Sequence, residues 1–357
     1  MNTSKRILVA PLNWGLGHAS RSIPIIRELM RQGHEVLIAS DGRALDLLKR
    51  EFPDLTALEL PAYDVRYPRK WLLYALVLQL YKILAALLLE HRTLRKWIAE
   101  YRLDAVISDN RLGCFTRQVP CAVISHQLNI FTKPPVIGKL ATFLHRLVLR
   151  RYGQCWIPDL EGPENLSGDL AHGMSLPNMR YIGLLTRMET GQLPERYDVL
   201  AILSGPEPQR SEWEHLILEQ AAQLPSYRWL IVQGKPELQE QNFPYPHIEV
   251  RSFMNSQEIN KAILESRIIL SRTGYSTIMD LAVLGKKALL VSTPGQPEQE
   301  YLADYGHQKG WYYTQSQDEL DLKKGLVEAE KCRGLSLAED GSIRLEVFLK
   351  NWVIGDS

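Results

Sequence analysis

The sequence predicts an α/β protein made of two doubly wound parallel sheets, and three observations support this fold class. Short apolar segments rich in β-branched residues alternate with longer segments of helical period, which is the pattern of consecutive βαβ units. Turn residues bound the apolar segments in both halves of the chain. The alternation stops over residues 159–178, which are rich in Pro, Gly, Asn, Ser and Asp, and then starts again. Two halves of one architecture therefore follow each other.

The first half is predicted to contain four strands and three long helical segments. Its apolar runs lack a polar alternation, which indicates strands buried on both faces. The predicted strands are 7–12, 35–40, 105–109 and 122–126, and the predicted helices are 18–31, 42–50 and 71–100.

The second half repeats this pattern with five strands. The predicted strands are 198–204, 228–233, 249–253, 267–272 and 287–293, and the predicted helices are 209–224, 256–264, 276–284 and 298–308. Residues 188–195 separate the halves and look like a linker. Ligands of open parallel sheets bind outside the carboxyl ends of the strands, so we expect a cleft between two such sheets to hold the ligand.

The composition excludes several classes of protein. The chain of 357 residues has 42 Lys and Arg against 41 Asp and Glu, and the net charge of +1 gives no general attraction for nucleic acid. Its four cysteines form no C-x-x-C pair and its histidines form no H-E-x-x-H motif, so neither a disulfide framework nor a metal site is predicted. The first residues lack the apolar core of a secretory signal, and we expect a cytoplasmic protein.

The turn after the first predicted strand offers a candidate base. Gly15 and Gly17 let the backbone approach a ligand, and the helix that follows presents free N–H groups to an anion or a polar oxygen. His18 lies at the start of this helix, and its ordinary pKa near 6.5 suits it to accept a proton from a hydroxyl. A plain turn with a surface histidine is the alternative interpretation. The dinucleotide fingerprint is incomplete, so a nicotinamide-dependent oxidoreductase is the weakest function that we consider.

A second turn, after the predicted strand that ends at Arg272, is suited to bind a diphosphate. Gly274 turns the chain and a helix begins with Ser276 and Thr277, so backbone N–H groups and hydroxyls meet near a guanidinium. Asp280 lies one turn further and could accept hydrogen bonds from ribose hydroxyls. The alternative is an ordinary capped helix with Ser276 as its N-cap.

Three more strand ends carry polar residues. Gln299 and Glu300 have the amide and carboxylate groups that recognise sugar hydroxyls. Ser204 and Gly205 form a second glycine-bearing anion site. Asp109 ends a strand of the first half, where it either contacts an acceptor substrate or caps a loop. The joint pattern is more specific than any single turn.

At these residues the chain resembles the glycosyltransferases of the GT-B fold, and among them family 28. The first turn is similar to the family's glycine-rich loop G-G-T-G-G-H, which gives His18 the role of base and places Gly17 near the donor diphosphate. The turn from His126 to Asn129 resembles the family's H-E-Q-N, which places both residues on the acceptor side. The segment that ends at Arg187 resembles G-N-P-V-R, so this arginine is expected to approach the donor diphosphate.

The similarity is more specific in the second half. Phe253 and Met254 resemble the segment that packs over the uracil, and Asp280 matches the acidic residue that holds the ribose. Gln299 and Glu300 fall on the family's Q-Q pair, which reads the hydroxyls of the sugar. The family's G-G-S-Q-G phosphate loop is reduced here to a Ser-Gly pair.

The resemblance implies an inverting, metal-independent transfer of a sugar, N-acetylglucosamine, from a UDP-sugar, without a further cofactor. Residues 1–187 would then bind the acceptor and residues 188–335 the nucleotide sugar, while residues 336–357 would return to the first domain. Two alternatives stay open: a UDP-sugar 2-epimerase of the same fold, and a non-catalytic protein that binds nucleotide sugars.

Two apolar segments bear on contact with a membrane. Residues 71–89 have nearly the length of a span, but Gln79 and Lys82 interrupt them. A buried helix, a surface or acceptor-groove helix and a true span are the three interpretations. Residues 139–151 are basic and amphipathic, which is typical of a solvated helix face or of a membrane-surface helix. If both segments contact lipid, the acceptor is lipid-linked and the protein is peripheral at the inner face of the membrane.

Overall fold

Two parallel sheets organise the chain. The computed structural model describes residues 4–63, 72–132, 134–205, 207–235, 243–335 and 345–354, with side chains of the long third helix described from residue 81 onward. The chain divides into two units, Met1–Leu185 with Asp340–Ser357, and Thr186–Glu339. Our predicted boundary after residue 187 differs by two residues, because Thr186 and Arg187 are bound by side chains of the second unit.

The first unit contains a seven-stranded sheet in the order β3-β2-β1-β4-β5-β6-β7, with every neighbouring pair parallel. Its strands are β1 Arg6–Pro11, β2 Glu35–Ser40, β3 Thr56–Glu59, β4 Ala105–Asp109, β5 Cys121–Ile124, β6 Gln154–Ile157 and β7 Met179–Tyr181. Its helices are α1 Leu16–Arg31, α2 Gly42–Glu51, α3 Leu72–Glu100 and α4 Pro135–Leu149, and a 3₁₀ turn covers Gly168–Leu170.

The core of this unit explains its central strands. Nearly every residue of β1, β2 and β4 is buried, as expected of strands covered by helices on both faces. One cluster joins the sheet to Leu94 and Trp97 of α3 and to Leu149 of α4. Both helices therefore pack on the same face of the sheet.

The second unit contains a six-stranded parallel sheet in the order β10-β9-β8-β11-β12-β13. Its strands are β8 Tyr197–Ile202, β9 Trp229–Val232, β10 Ile248–Arg251, β11 Ser266–Arg272, β12 Lys287–Val291 and β13 Tyr313–Gln315. Its helices are α5 Gln209–Ala222, α6 Ser256–Leu264, α7 Tyr275–Leu284, α8 Pro297–Gln308 and α9 Leu322–Lys331. The predicted class of two doubly wound α/β sheets is confirmed.

The last helix, α10 Leu345–Ile354, belongs to the first unit. The Trp352 ring packs against Trp156 of β6 with 4.9 Å between ring centroids, and Phe348 packs on the same indole at 5.0 Å. Glu346 pairs with Arg31 at the end of α1, at 3.0 Å. The described part of the predicted C-terminal segment therefore packs on β6 of the first sheet and beside α1.

The described part of α3 is neither fully buried nor fully exposed. Ala86 and Leu94 are buried, while Leu84 and Leu88 are exposed. Trp71 lies outside the described residues. Within the described chain, none of the helices combines the length and the apolar character that crossing a bilayer requires.

Candidate functional site

The turn between β1 and α1 is held in a fixed conformation. Gly15 has φ of 87°, a left-handed conformation that favours glycine, and α1 begins at the next residue. The side chain of Asn13 donates to Asp41 Oδ2 at 3.0 Å and accepts from the Ala44 N–H at 3.2 Å. His18 is therefore placed in the first turn of α1 by a loop that is anchored to α2.

Asp109 lies directly beside this turn because β4 is the neighbour of β1 in the sheet. Its Cα is paired in register with Pro11, so the carboxyl ends of the two strands meet. His18 Nδ1 lies 2.9 Å from Asp109 Oδ1, and Arg21 Nε donates to Asp109 Oδ2 at 2.6 Å. The carboxylate is completely buried, while 14% of the His18 side chain stays exposed. Asp109 thus holds the His18 imidazole by its Nδ1 atom, from the buried side.

The charges of this cluster set the protonation of both groups. Burial alone would raise the pKa of Asp109, but the Arg21 guanidinium and His18 overcome it and lower the pKa to about 2. Burial lowers the pKa of His18, Arg21 and His126 lower it further, and Asp109 opposes them without reversing the shift. At neutral pH the site therefore holds an ionised carboxylate beside a neutral imidazole, which is the state that a general base requires.

The two other residues predicted on the acceptor side have different surroundings. His126 Nδ1 lies 2.8 Å from Nη1 of Arg21, so it joins the cluster around His18. The Asn129 amide donates to the Asp169 carbonyl and accepts from Arg146 of α4. The contacts of Asn129 thus tie α4 to the loop that contains the 3₁₀ turn.

Sequence reasoning missed the buried network beside this turn. Arg111, which is fully buried, pairs with Asp41 and lies 3.2 Å from Glu90, and Tyr63 donates to Glu90 Oε2 at 2.8 Å. Burial raises the pKa of Glu90 to about 7, although Arg111 and Tyr63 oppose the shift. Since Asp41 also binds Asn13, the network supports the loop that precedes His18. Its members are far apart in sequence, so no local motif indicates them.

In the second unit, the turn after β11 begins a helix at Gly274. This residue is the N-cap of α7, two residues earlier than Ser276, which our alternative interpretation named. Among the described residues no side-chain hydrogen bond caps the helix, and Ser276 and Thr277 are half-buried in its first turn. An uncapped helix N-terminus of this kind presents backbone donors to an anion.

Arg272 lies below this turn. Its guanidinium donates to the Ser292 carbonyl at 3.1 Å and to Gln317 Oε1 at 2.6 Å, and it stacks over the Trp213 ring at 4.2 Å. Burial lowers the pKa of Arg272 to about 10. These contacts join the turns after β11, β12 and β13 into one rigid edge.

A third group brings Arg187 and Asp280 together. The Thr186 hydroxyl donates to Asp280, and Arg187 Nη1 donates to Ser256 Oγ at 3.0 Å. Burial raises the pKa of Asp280 to about 6, with Thr186 and Arg187 opposing the shift. Ser256 opens α6, two residues after Met254, and both Phe253 and Met254 are half-buried. The predicted ribose, uracil and diphosphate residues of this region are therefore neighbours.

The remaining predicted residues line the same sheet edge. Gln299 accepts from the Thr293 N–H at 2.9 Å and donates to Gln296 at 2.7 Å, so its amide closes the turn before α8. Glu300 is half-buried in the first turn of that helix. Ser204 is exposed, and Gly205 has φ of 124°.

A polar cluster below the Ser204 turn was also missed. Arg210 donates to Glu207 at 2.9 Å and to the Gln233 carbonyl at 2.6 Å, and Glu214 lies 3.1 Å from Lys235. The cluster holds the ends of β8 and β9 together. Within the described ranges, no group of three or more His, Cys, Asp or Glu side chains is placed to hold a metal ion.

Two family models match different halves of the chain. The one described as "Glycosyltransferase family 28 C-terminal domain" matches residues 210–333, and the one described as "Glycosyl transferase family 1" matches residues 5–132. Curated relatives match over nearly the full length. An uncharacterized glycosyltransferase of Methanosarcina acetivorans is 24% identical over 352 residues, which cover 92% of this chain and 91% of the relative. One from Methanosarcina mazei is 24% identical over 350 residues, with the same coverage of 92% and 91%.

Solved structures share the fold. The calicheamicin glycosyltransferase CalG4 has a TM-score of 0.65 at 14% identity, covering 99% of this chain and 100% of that one. MurG of Acinetobacter baumannii has a TM-score of 0.55 at 13% identity, covering 98% and 96%. At such identities the likeness concerns the architecture of the chain.

Proposed function

We propose that this chain, which is a glycosyltransferase with the GT-B fold, transfers a sugar from a UDP-sugar to an acceptor hydroxyl with inversion at the anomeric carbon. The observation that supports this most directly is the imidazole of His18, which lies 2.9 Å from the buried carboxylate of Asp109 at the carboxyl edge of the first sheet. A neutral imidazole oriented by a carboxylate is suited to remove a proton from a hydroxyl.

The chemical step is a single displacement. His18 Nε2 accepts the proton of the acceptor hydroxyl while the hydroxyl oxygen forms a bond to the anomeric carbon. The bond from that carbon to the diphosphate oxygen breaks, and its electron pair leaves with UDP. Asp109 stabilises the imidazolium that forms, and the proton then passes to solvent. Attack from the face opposite the leaving group inverts the configuration.

The second unit supplies the donor site in this proposal. The departing diphosphate carries growing negative charge, which backbone donors at the start of α7 and the Arg187 guanidinium would stabilise. The same anion would contact groups at Gly17, Ser204, Gly205, Ser276 and Thr277, while Arg272 braces the turn from below. Fixed dipoles and an arginine can supply this stabilisation, so we propose no metal ion and no cofactor besides the UDP-sugar.

In this proposal, residues near the carboxyl ends of the strands of the second sheet also bind the nucleoside and the sugar. We assign the uracil to Phe253 and Met254, the ribose to Asp280, and the sugar hydroxyls to Gln299 and Glu300. N-acetylglucosamine is the sugar that the resemblance to family 28 supports.

A ligand panel and one variant test this proposal. UDP-sugars should raise the melting temperature of the protein, since ligands that bind the native state stabilise it, whereas GDP- and dTDP-sugars should not. His18→Ala should keep UDP binding and lose at least about 10²-fold in transfer rate, the usual contribution of general base catalysis. His215→Ala, at an exposed histidine of α5, should keep both.

Two outcomes would contradict the proposal: near-normal transfer by His18→Ala, or no stabilisation by any UDP-sugar. Product analysis by NMR separates the remaining alternative. A product with inverted C2 of the sugar and no new glycosidic bond would identify a UDP-sugar 2-epimerase.

The outer face of α4 supports a lipid-linked acceptor. A stripe of apolar side chains on this helix is 41–75% exposed, and it consists of Val136, Leu140, Phe143, Leu144 and Leu147. Their spacing places them on one face of the helix. Lys139, Arg150 and Arg151 are exposed beside it. An apolar stripe with basic neighbours fits an anionic bilayer surface, and we propose that the protein binds there peripherally, from the cytoplasmic side.

Sedimentation with lipid vesicles tests this surface. Vesicles containing anionic phospholipid should bind the protein, and the double variant L140E/F143E should bind at least about tenfold more weakly, since it places charges in the apolar layer. Val327→Glu, at an exposed apolar residue of α9, should bind like the wild type. If L140E/F143E bound the vesicles as strongly as the wild type and Val327→Glu do, the membrane contact would be refuted.

A further inference from the structure

Arg21 lies at the centre of the hydrogen bonds around His18. It stands three residues after His18 on α1, so both side chains are on one face of the helix. Only 2% of Arg21 is exposed. All three guanidinium nitrogens are used: Nε and Nη2 bind the two oxygens of Asp109, Nη1 lies 2.8 Å from His126 Nδ1, and Nη2 lies 2.9 Å from His18 Nδ1.

These contacts restrict which ring nitrogens of His126 and His18 can carry a proton. A guanidinium only donates hydrogen bonds, so His126 Nδ1 must be an acceptor and carries no proton. His18 Nδ1 lies at 2.9 Å from both an arginine donor and a carboxylate oxygen, and a single ring nitrogen cannot satisfy both.

The carboxylate decides between the two tautomers of His18. A lone pair on Nδ1 would face the lone pairs of an ionised carboxylate at 2.9 Å, which is repulsive. A proton on Nδ1 can instead be donated to Asp109 Oδ1, and a carboxylate oxygen can accept from Arg21 at the same time. The neutral ring then has no proton on Nε2, which is the nitrogen that a base uses here.

We propose that Arg21 is a positioning residue of the transfer reaction, which holds Asp109 under His18 Nδ1 and keeps the imidazole uncharged with Nε2 unprotonated. This inference rests on the proposed role of His18 as the base. The positive charge of Arg21 disfavours an imidazolium in the resting protein, while the Arg21–Asp109 pair fixes the oxygen that orients the ring.

The other charged groups that face His18 are consistent with this role. Burial and the Arg21 charge lower the pKa of His18, Asp109 raises it, and the net direction is downward. His126 lowers it further only when its own ring is protonated. Removing the Arg21 charge should therefore raise the pKa of His18. In a pH profile of kcat/KM, the acid limb marks the protonation of the base, so it should move to higher pH.

Two measurements test the proposal, and the first needs no substrate. In ¹⁵N spectra of the wild type at pH 7, with His18→Gln used to assign the signals, His18 should be neutral with its proton on Nδ1. In Arg21→Gln, the titration midpoint of His18 should rise by about one pH unit or more, the usual effect of a charge at this distance. Arg27→Gln, at an exposed arginine of the same helix, should leave it unchanged.

The second measurement is the pH profile of transfer. The acid limb of Arg21→Gln should shift upward with the NMR midpoint, whereas a variant that only lowers the folded fraction reduces the rate at every pH equally. A proton on Nε2 in the wild type overturns the proposal, as does an unchanged midpoint in Arg21→Gln. If Arg21→Gln does not fold, the tautomer of His18 in the wild type alone decides whether the proposal holds. Absence of any transfer activity would count against the proposed function, while the NMR result would still decide the role of Arg21.

Discussion

At the scale of single residues, both units contain carboxyl groups whose proton affinity is set by burial and by one charged neighbour. Asp109 keeps its negative charge because Arg21 is close, whereas the half-buried Asp280 has weaker support and desolvation raises its pKa to about 6. Asp280 is thus poised to lose its proton near neutral pH. A ribose hydroxyl could then replace Thr186 as its hydrogen-bond donor.

Glu90 gives a prediction about stability and pH. Its pKa in the folded protein is about 7, above the ordinary value of 4.5, so the folded state binds this proton more tightly than the unfolded state. Stability from this group is therefore present below about pH 4.5 and is lost as the pH rises toward 7. Glu90→Gln should remove this component, which is about 3 kcal/mol for a pKa raised from 4.5 to about 7. Urea unfolding at pH 5 and pH 8 measures it.

The control for Glu90→Gln is Glu100→Gln, at an exposed glutamate of the same helix. That variant should lose stability between the two pH values just as the wild type does. If Glu90→Gln shows the same loss, the buried Glu90 is not its source.

At the scale of elements, the sequence predicts those parts whose signal is local. The bounds of β2, β4 and α6 are predicted to the residue, because each is bounded by turn residues or a cap. The strands β3, β6 and β7 were missed, since each has only three or four residues and, unlike the equally short β5 and β9, contains a polar residue that interrupts the apolar run. Pairing with neighbours in the sheet, rather than local sequence, defines them.

The same distinction applies to the candidate site. The glycine turns and His18 follow from residue types next to one another in the chain. The contacts of Arg21 and Arg111 depend on Asp109 and Asp41, which are 88 and 70 residues away and become neighbours only through the order of the strands. A prediction of strand order would have placed Asp109 beside His18, since β1 and β4 are adjacent.

The start of α7 gives a prediction about donor binding. Gly274 has φ of −83°, and a Cβ atom added there would meet only Thr277 Oγ1, at 3.8 Å. Gly274→Ala should therefore fold with a change in stability below about 1 kcal/mol. If a diphosphate lies against this backbone, the added methyl group blocks it, and UDP should bind about tenfold more weakly or worse. Isothermal titration with UDP measures the change.

The matched control is Gly285→Ala at the other end of α7. Gly285 has φ of 64°, a left-handed conformation, so this variant should lose about 1 kcal/mol of stability. It should nevertheless bind UDP with normal affinity. Unchanged UDP affinity in Gly274→Ala would exclude the start of α7 as the diphosphate site.

At the scale of the whole molecule, the last helix is part of the first unit. Trp352 is buried against Trp156 of β6, so Trp352→Ala leaves a cavity beside that strand. The first unit should lose about 3 kcal/mol of stability, a typical cost for a buried tryptophan. Hydrogen exchange should become faster in β1 and β6 and stay unchanged in β8 and β11.

Val347→Ala is the control on the same helix, because its side chain is 51% exposed. It should leave exchange in both sheets as in the wild type. Faster exchange in β8 and β11 of Trp352→Ala would show that the effect is not confined to the first unit.

The return of the last helix has a consequence for biosynthesis. A ribosome makes the first sheet before α10, with the whole of Thr186–Glu339 in between. While the nascent chain is still attached, Trp156 lacks its aromatic cover and the second unit can finish folding ahead of the first. The unit whose translation begins first is thus completed after the other, and any premature stop codon before residue 345 yields a polypeptide whose first domain keeps an uncovered apolar surface at Trp156.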